Sequence, residues 1–271
     1  MSTDGSASST NGDGGARRRV LVTGAAGRIG RGFAAATSSR FDLRLTDLPE
    51  ADLAAVSGFG EVRPCRLDDV DELPAVFEGV HTVIHLAGQP HPDTPWDKLL
   101  PDNIVATYNV FAAAERAGCR RVVFASSIHA VGGYPRERRI HPADPVNPGN
   151  LYGVSKCFGE AVARYAAEQG TLSAVVVRIG AFQPFEAATG PDSAWLSDIW
   201  VAPPDLFQVL LLAVETPDIQ FAVVHATSAN DVQRLDLEDT RRLLGYQPEY
   251  GWTATAGGAT RMHQDGPSQL A

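Results

Sequence analysis

The chain is poor in the residues that most often announce a special chemistry or location. It carries only three cysteines in 271 residues, Cys65, Cys119 and Cys157, with neither the density of a disulfide framework nor a metal-ligand spacing. Cys119 and Cys157 fall within apolar helical patterns, where a thiol behaves as a small hydrophobe, so reduced thiols in a cytoplasmic protein are expected. No histidine, cysteine or carboxylate cluster has ligand spacing, and no metal is expected. No apolar run is long enough to span a bilayer. Residues 1–17, rich in Ser, Gly, Thr and Asp, lack the apolar core of a secretory signal and read as a disordered tail. Basic charge is also short. With 23 Lys and Arg against 32 Asp and Glu, the formal charge is -9, which argues against nucleic acid as a partner, because phosphate binding needs a basic face.

What is present is ordinary for a soluble globular domain, 44% hydrophobic and 20% charged. From residue 18 onward, short apolar runs alternate with helical patterns. Residues 20–22 form an apolar run that leads into a glycine turn, 29–37 a helix, and 41–46 a strand ending at Asp47. Strands are expected at 62–65 and 81–86, with a helix over 69–77 between them. A helix over 103–117, a strand over 121–125, a helix over 151–169 stopped by Gly170, and a strand over 174–179 follow. Alternation of this kind, with continuously apolar strands, predicts an α/β fold: a Rossmann-type doubly wound parallel sheet covered on both faces. The expected organisation is a tail over 1–17, a main sheet domain over 18–180, a small lobe over 181–255 and a flexible tail over 256–271. Within the lobe, 182–204 reads as a loop or lid, 206–214 as a helix, 221–225 as a strand and 237–244 as a helix.

Gly24, Gly27 and Gly30, together with Arg28 and Ile29, occupy the junction between the first strand and the first helix. There a backbone free of side chains lets a pyrophosphate approach the helix amino terminus. The spacing is G-x-x-G-x-x-G, a variant of the dinucleotide fingerprint. Asp47, about twenty residues on, sits where an adenosine ribose is bound, and its carboxylate favours NAD over NADP. Arg28 and Arg44 are cations nearby. Leu86, Ala87 and Gly88 end a strand at the carboxyl edge of the sheet, where ligands lie in such folds.

Tyr152 and Lys156 lie one helical turn apart on the same face. An ammonium ion there is expected to favour the phenolate, making Tyr152 a general base for a substrate hydroxyl as hydride leaves for nicotinamide. Ser127 at a strand end would hydrogen-bond the same oxygen, and Asn103 would help position Lys156. His129 is a candidate substrate contact. His85 and His225, inside apolar strands, read as core residues.

The glycine turn, Phe124-Ala125-Ser126-Ser127, Tyr152-x-x-x-Lys156 and Val177-Arg178-Ile179-Gly180 resemble the extended short-chain dehydrogenases/reductases. Residues 151–160, Leu-Tyr-Gly-Val-Ser-Lys-Cys-Phe-Gly-Glu, and Ser228-Ala229-Asn230-Asp231 are similar to the uronate dehydrogenases of that family. The likeness runs from about residue 20 to residue 252. It implies NAD as cofactor, Tyr152, Lys156 and Ser127 as catalytic residues, and oxidation of a small free sugar acid at its anomeric carbon. It also implies cofactor contacts from Leu67, Asn103 and Ile179, and substrate contacts from Gln89, Ile128, His129 and Trp195.

Three departures bear on the substrate. Ile128 stands where those enzymes have asparagine. Ser193-Ala194-Trp195 precedes Leu196-Ser197, so the arginine that holds the substrate carboxylate is missing. The loop after Gly88 reads Gln89-Pro90-His91-Pro92-Asp93. Such a chain is expected either to take a less polar substrate or to hold the carboxylate elsewhere, with Arg136 as the candidate. Arg66 stands where an acidic residue usually meets the adenine. An epimerase or reductase uses the same tyrosine and lysine, and an NAD-sensing protein would keep the fold without turnover. A homodimer or higher homo-oligomer is expected through the helices that carry Asn103 and Tyr152.

Overall fold

The computed structural model describes residues 17–262; the amino-terminal tail up to residue 16 and residues 263–271 lie outside them. The strands in chain order are β1 (Arg19–Thr23), β2 (Asp42–Thr46), β3 (Glu61–Val62), β4 (Thr82–His85), β5 (Arg121–Ser127) and β6 (Ser173–Ile179). They continue with β7 (Ala181–Phe182), β8 (Trp200–Val201), β9 (Phe221–Ala226), β10 (Tyr250–Thr253) and β11 (Gly258–Arg261). Seven strands form one sheet in the order β3-β2-β1-β4-β5-β6-β9, and every pair in it is parallel.

Alternate residues of a strand face opposite layers, and the two cores follow that rule. Val20, Val22, Val123, Val175 and Val177 pack under α1 (Arg28–Thr37) and α6 (Pro203–Glu215) through Phe33, Ala34, Leu206, Val209 and Leu210. Leu21, Val83, Val122, Phe124 and Val176 face the other way. They meet α2 (Leu73–Phe77), α4 (Ala106–Arg116) and α5 (Leu151–Gln169) through Val76, Val110, Phe111 and Ala163. The doubly wound sheet expected from the sequence is therefore present. Its strand order reverses between β1 and β4, and the crevice at the carboxyl ends of these strands is where such sheets bind ligands.

Several elements differ from expectation. The helix over 103–117 is longer at its start: α3 (Trp96–Leu99) runs through a π-helical stretch (Leu100–Val105) straight into α4. The segment expected as a separate lobe divides. Its α6 and β9 complete the main unit, because the apolar face of α6 covers the sheet and β9 pairs with β6 along Ala174–Ile179. The lobe proper is a small cluster of Ala188, Leu196, Trp200, Ala202, Trp252 and Ala259. It is built by the parallel pair β7–β8, two 3-10 turns (Phe185–Ala188 and Pro191–Leu196) and the β10–β11 hairpin. Thus 182–204, read as a loop or lid, carries short structure, and the tail expected from 256 begins with a paired strand. Gly257 at φ +63° makes the hairpin turn. Among the described residues, no helix is long and apolar enough to cross a membrane.

Candidate active site

The glycine turn is packed against the end of β4. Gly24 has φ +70°, and a Cβ there would lie 2.7 Å from the Ala87 nitrogen. A Cβ on Gly30 would strike the Gly24 carbonyl and lie 2.7 Å from the Ala25 Cα. Only hydrogen fits at either place. Gly27 caps α1 in an extended conformation with no side-chain hydrogen bond to the first turn. The amides of that turn thus remain available to an anion. Leu86, Ala87 and Gly88 follow β4 directly, and Thr23 Oγ1 accepts from the Ala87 amide at 3.3 Å. These are the features a dinucleotide needs, a bare cradle with a helix terminus aimed into it.

Asp47 ends β2 beside the cradle. Its Oδ2 accepts from the Ala26 amide and its Oδ1 from the Leu48 amide, both at 2.9 Å, so the carboxylate also braces the turn. Arg28 donates to the Phe182 carbonyl at 3.2 Å and to Gln183 Oε1 at 3.1 Å, tying the turn to the chain after β6. Ile29 packs on the α1 side of the core. Leu67 is buried, its carbonyl accepting from Asn109 Nδ2 at 3.0 Å. Arg66 is exposed and paired with Glu50 at 2.9 Å.

Across the crevice, β5 delivers Ser127 and α5 delivers Tyr152 and Lys156. Asn150 starts α5: its Oδ1 accepts from the Gly153 amide at 2.8 Å, the bond that caps a helix. Lys156 is buried, and its Nζ donates to the Ala125 carbonyl at 2.9 Å. Burial pushes its ammonium down to about 8. Its Nζ lies 5.6 Å from the centre of the Tyr152 ring. The expected lowering of Tyr152 by this charge is not found. Burial pushes the phenol up, and the Ser127 hydroxyl only partly offsets it; Lys156 donates to the Ala125 carbonyl on β5. Ile179 ends β6 in register with Ser127.

Asn103 lies in the π-helical stretch, a distortion common at functional sites. Its Oδ1 accepts from the Gln89 amide at 2.7 Å, and its Nδ2 donates to Ser155 Oγ at 2.9 Å. It therefore ties the loop after Gly88 to the residue beside Lys156, and reaches Lys156 only through that neighbour. Gln89 Nε2 donates to Asp102 at 2.7 Å.

His129 stands edge-on to Tyr152, with ring centres 5.4 Å apart. Asn150 Oδ1 is engaged by the Gly153 amide, so its Nδ2 faces His129 Nδ1 at 2.9 Å. That places the histidine proton on Nε2. Burial, then Arg234 and His91, lower the His129 pKa, so the ring is neutral and donates. Ile128 packs with Val131, Ile140 and Leu235. Trp195 is 51% exposed in the Pro191–Leu196 turn. Arg136, the candidate for a substrate carboxylate, is already engaged. Its guanidinium grips buried Asp198 at 2.9 and 3.2 Å and also reaches the Trp195 carbonyl. His85 is held by Thr23 and Thr107 on its two nitrogens, as a core residue should be, whereas His225 Nε2 has no partner.

Comparison with known proteins fits this geometry. The model of the NAD dependent epimerase/dehydratase family matches residues 20–183. The chain belongs to that family. It is 33% identical over 249 residues to the NAD-dependent glucose-6-phosphate dehydrogenase of Haloferax volcanii, covering 85% of this chain and 92% of that protein. It is 37% identical to the L-arabinose 1-dehydrogenase (NAD(P)(+)) of the same organism, covering 85% and 96%. The crystal structure of uronate dehydrogenase from Agrobacterium tumefaciens superposes with a TM-score of 0.77 at 34% identity, covering 88% of this chain and 86% of that one.

Several site residues of this family member escape a reading of the sequence. Asn150 carries a recognisable signal, a helix-capping residue directly before Leu151 and Tyr152. Ser126 carries none. It donates to Glu160 at 2.6 Å, and Glu160 is gripped by Arg178 at 2.8 and 2.9 Å. This buried network ties α5 to β5 and β6 next to Ser127.

Proposed function

We propose that the protein is an NAD-dependent oxidoreductase that moves hydride between nicotinamide and a small hydroxyl or carbonyl substrate, with a uronate-like sugar the first to try. The observation that carries this reading is the meeting of Ser127, Tyr152 and Lys156 at the carboxyl edge of the same sheet that holds the bare glycine cradle. The cofactor would rest on Gly24, Gly27, Arg28, Ile29 and Gly30, with Asp47, Leu67, Leu86, Ala87, Gly88, Asn103 and Ile179 around it. When bound, the nicotinamide accepts or returns the hydride and, oxidised, adds a positive charge to the site. Ser127 and the neutral His129, with its Nε2 proton, hold the reacting oxygen. Tyr152 passes the proton. Its phenol, raised by burial, is set to donate to a carbonyl, and additional positive charge turns it toward accepting from a hydroxyl. That additional charge would come with the bound, oxidised nicotinamide, while Lys156, held on the Ala125 carbonyl, stands one turn from Tyr152.

The test is NADH formation from NAD with glucuronate, galacturonate, glucose 6-phosphate and L-arabinose, beside a Tyr152→Phe control. Turnover lost in the control supports Tyr152 as the proton carrier. Substrate conversion without net NADH would replace oxidation by epimerisation.

The same reading extends to assembly and location. Val105 and Tyr108 on the Asn103 arm, and Leu151, Val154 and Tyr165 on α5, are exposed apolar residues and would be covered in a homodimer. A monomeric sedimentation profile at micromolar concentration would overturn that. Three free thiols suit the reducing cytoplasm.

A further inference from the structure

The missing arginine leaves open what an anionic substrate would meet, and the side chains beyond Ile128 answer it. Three arginines and two carboxylates converge there. Arg136 pairs with Asp198 at 2.9 Å and Arg139 with Asp236 at 2.6 Å, and both carboxylates are almost fully buried. Arg234 lies between them in the chain contacts: its amide donates to the Asp198 carbonyl at 3.3 Å, and its carbonyl accepts from the Ile140 amide at 2.7 Å. Its own side chain is left over. Nη2 donates to the Tyr134 carbonyl at 3.0 Å, and Nε is buried with no partner. Among the described residues Arg234 has no carboxylate within ion-pair distance.

A buried guanidinium donor without an acceptor is costly and rare. Arg234 therefore holds a positive charge that no carboxylate within ion-pair distance answers, beside the turn that carries Ser127 and Ile128. Burial, then the Arg234 guanidinium, lower the His129 pKa. Leu235, next to Arg234, packs on Ile128, which follows Ser127. An anion is the complement this arrangement lacks.

We propose that Arg234 receives an anionic group of the substrate, a carboxylate or a phosphate, on the part of the sugar remote from the carbon that exchanges hydride. The inference rests on the oxidoreductase reading and sharpens it, since the relatives' names divide between anionic sugars and neutral L-arabinose. The cation comes from the turn after β9, not from the segment before Leu196. The planar fork of arginine suits either oxyanion.

The experiment compares the full-length protein with Arg234→Gln and Arg234→Lys, using glucuronate, galacturonate, glucose 6-phosphate and L-arabinose. Calorimetric NAD binding and the melting temperature serve as controls of folding. A charged hydrogen bond of ordinary strength predicts that Arg234→Gln raises KM for the anionic sugar about 10- to 100-fold. The value of kcat, and any turnover of arabinose, should change little, and Arg234→Lys should recover part of the loss. Glucuronate and galacturonate against glucose 6-phosphate tell which oxyanion is taken. Equal losses for anionic and neutral sugars, or turnover of arabinose alone, would overturn the role of Arg234 while leaving the oxidoreductase reading in place. If NAD binds but no sugar yields NADH, the sugar-oxidising form of that reading fails. Calorimetric titration of the same anionic sugars then decides for Arg234: binding lost in Arg234→Gln supports it, and no binding to the wild type overturns it.

Discussion

Lys156→Met should make the protein more stable and inactive. The wild-type ammonium ion sits in a buried pocket with one hydrogen bond, to the Ala125 carbonyl at 2.9 Å, and with the Phe124 ring centre 5.2 Å away. Burial pushes its pKa from 10.5 down to about 8. At about 1.4 kcal/mol per tenfold change in proton affinity, keeping the charge dry costs the folded state about 3 kcal/mol at neutral pH. Methionine keeps the unbranched stem and removes the charge, but leaves the Ala125 carbonyl without its donor, a loss of about 1 kcal/mol. The balance is a gain of about 2 kcal/mol at pH 7, or roughly 5 °C in melting temperature for a chain of this size. The pH dependence carries the sharper test. Between pH 8 and 10.5 the unfolded lysine binds the proton and the folded one releases it, so wild-type stability rises with pH in that window and the gap to the variant closes. Urea denaturation at pH 7, 8.5 and 10 reads both effects. A variant less stable than wild type at pH 7, or a gap unchanged at pH 10, would refute the reasoning. A gain in stability with loss of turnover is what a functional group held at a cost produces.

Arg178→Met should be more harmful than Lys156→Met is helpful. It strands the Glu160 carboxylate in a buried site and should cost about 3–5 kcal/mol, roughly 10 °C in melting temperature; adding Glu160→Met should recover most of that, and a single variant within about 1 kcal/mol of wild type would count against the network. Gly30→Ala drives a methyl group into the Gly24 carbonyl and should lower NAD affinity at least tenfold by calorimetry and cost about 2 kcal/mol or more. Gly58→Ala, where a Cβ meets nothing within 4 Å, should leave both unchanged. Asp205 is buried, and burial pushes its carboxyl up to about 6, against the Ser228 hydroxyl and the Glu249 and Tyr250 amides that hold it down. Its folded pKa lies above its unfolded one, so the folded state binds the extra proton between pH 4 and 6, and wild type should gain about 1 kcal/mol over Asp205→Asn between pH 7 and 5. A slope of the opposite sign in chemical denaturation would exclude that burial effect.

The two halves of this site were unequally legible, for a physical reason. The cofactor half is written locally. A bare turn between strand and helix needs glycines at fixed spacing, and Gly24, Gly27 and Gly30 supply them within seven residues. Tyr152 and Lys156 share a face because 3.6 residues make a turn, and the buried parallel strands betray themselves by unbroken apolar runs. The substrate half is assembled from distant segments. Arg136 meets Asp198 across 62 positions, Arg234 meets Tyr134 across 100, and Asn150 meets His129 across 21. No periodicity within any one segment encodes those meetings. The lone charge on Arg234 becomes visible only when the two carboxylates nearby are seen to be spent on other arginines. The sheet misled for the same reason: α6 and β9 look like the start of a new lobe along the chain, yet β9 pairs with β6 and α6 packs on the sheet, which places both in the first. A fold of this kind is fixed by local rules where it holds a cofactor common to the family. The side chains beyond Ile128 are set by long-range pairings that a few substitutions can redirect, as the unpartnered Nε of Arg234 between two spent carboxylates illustrates.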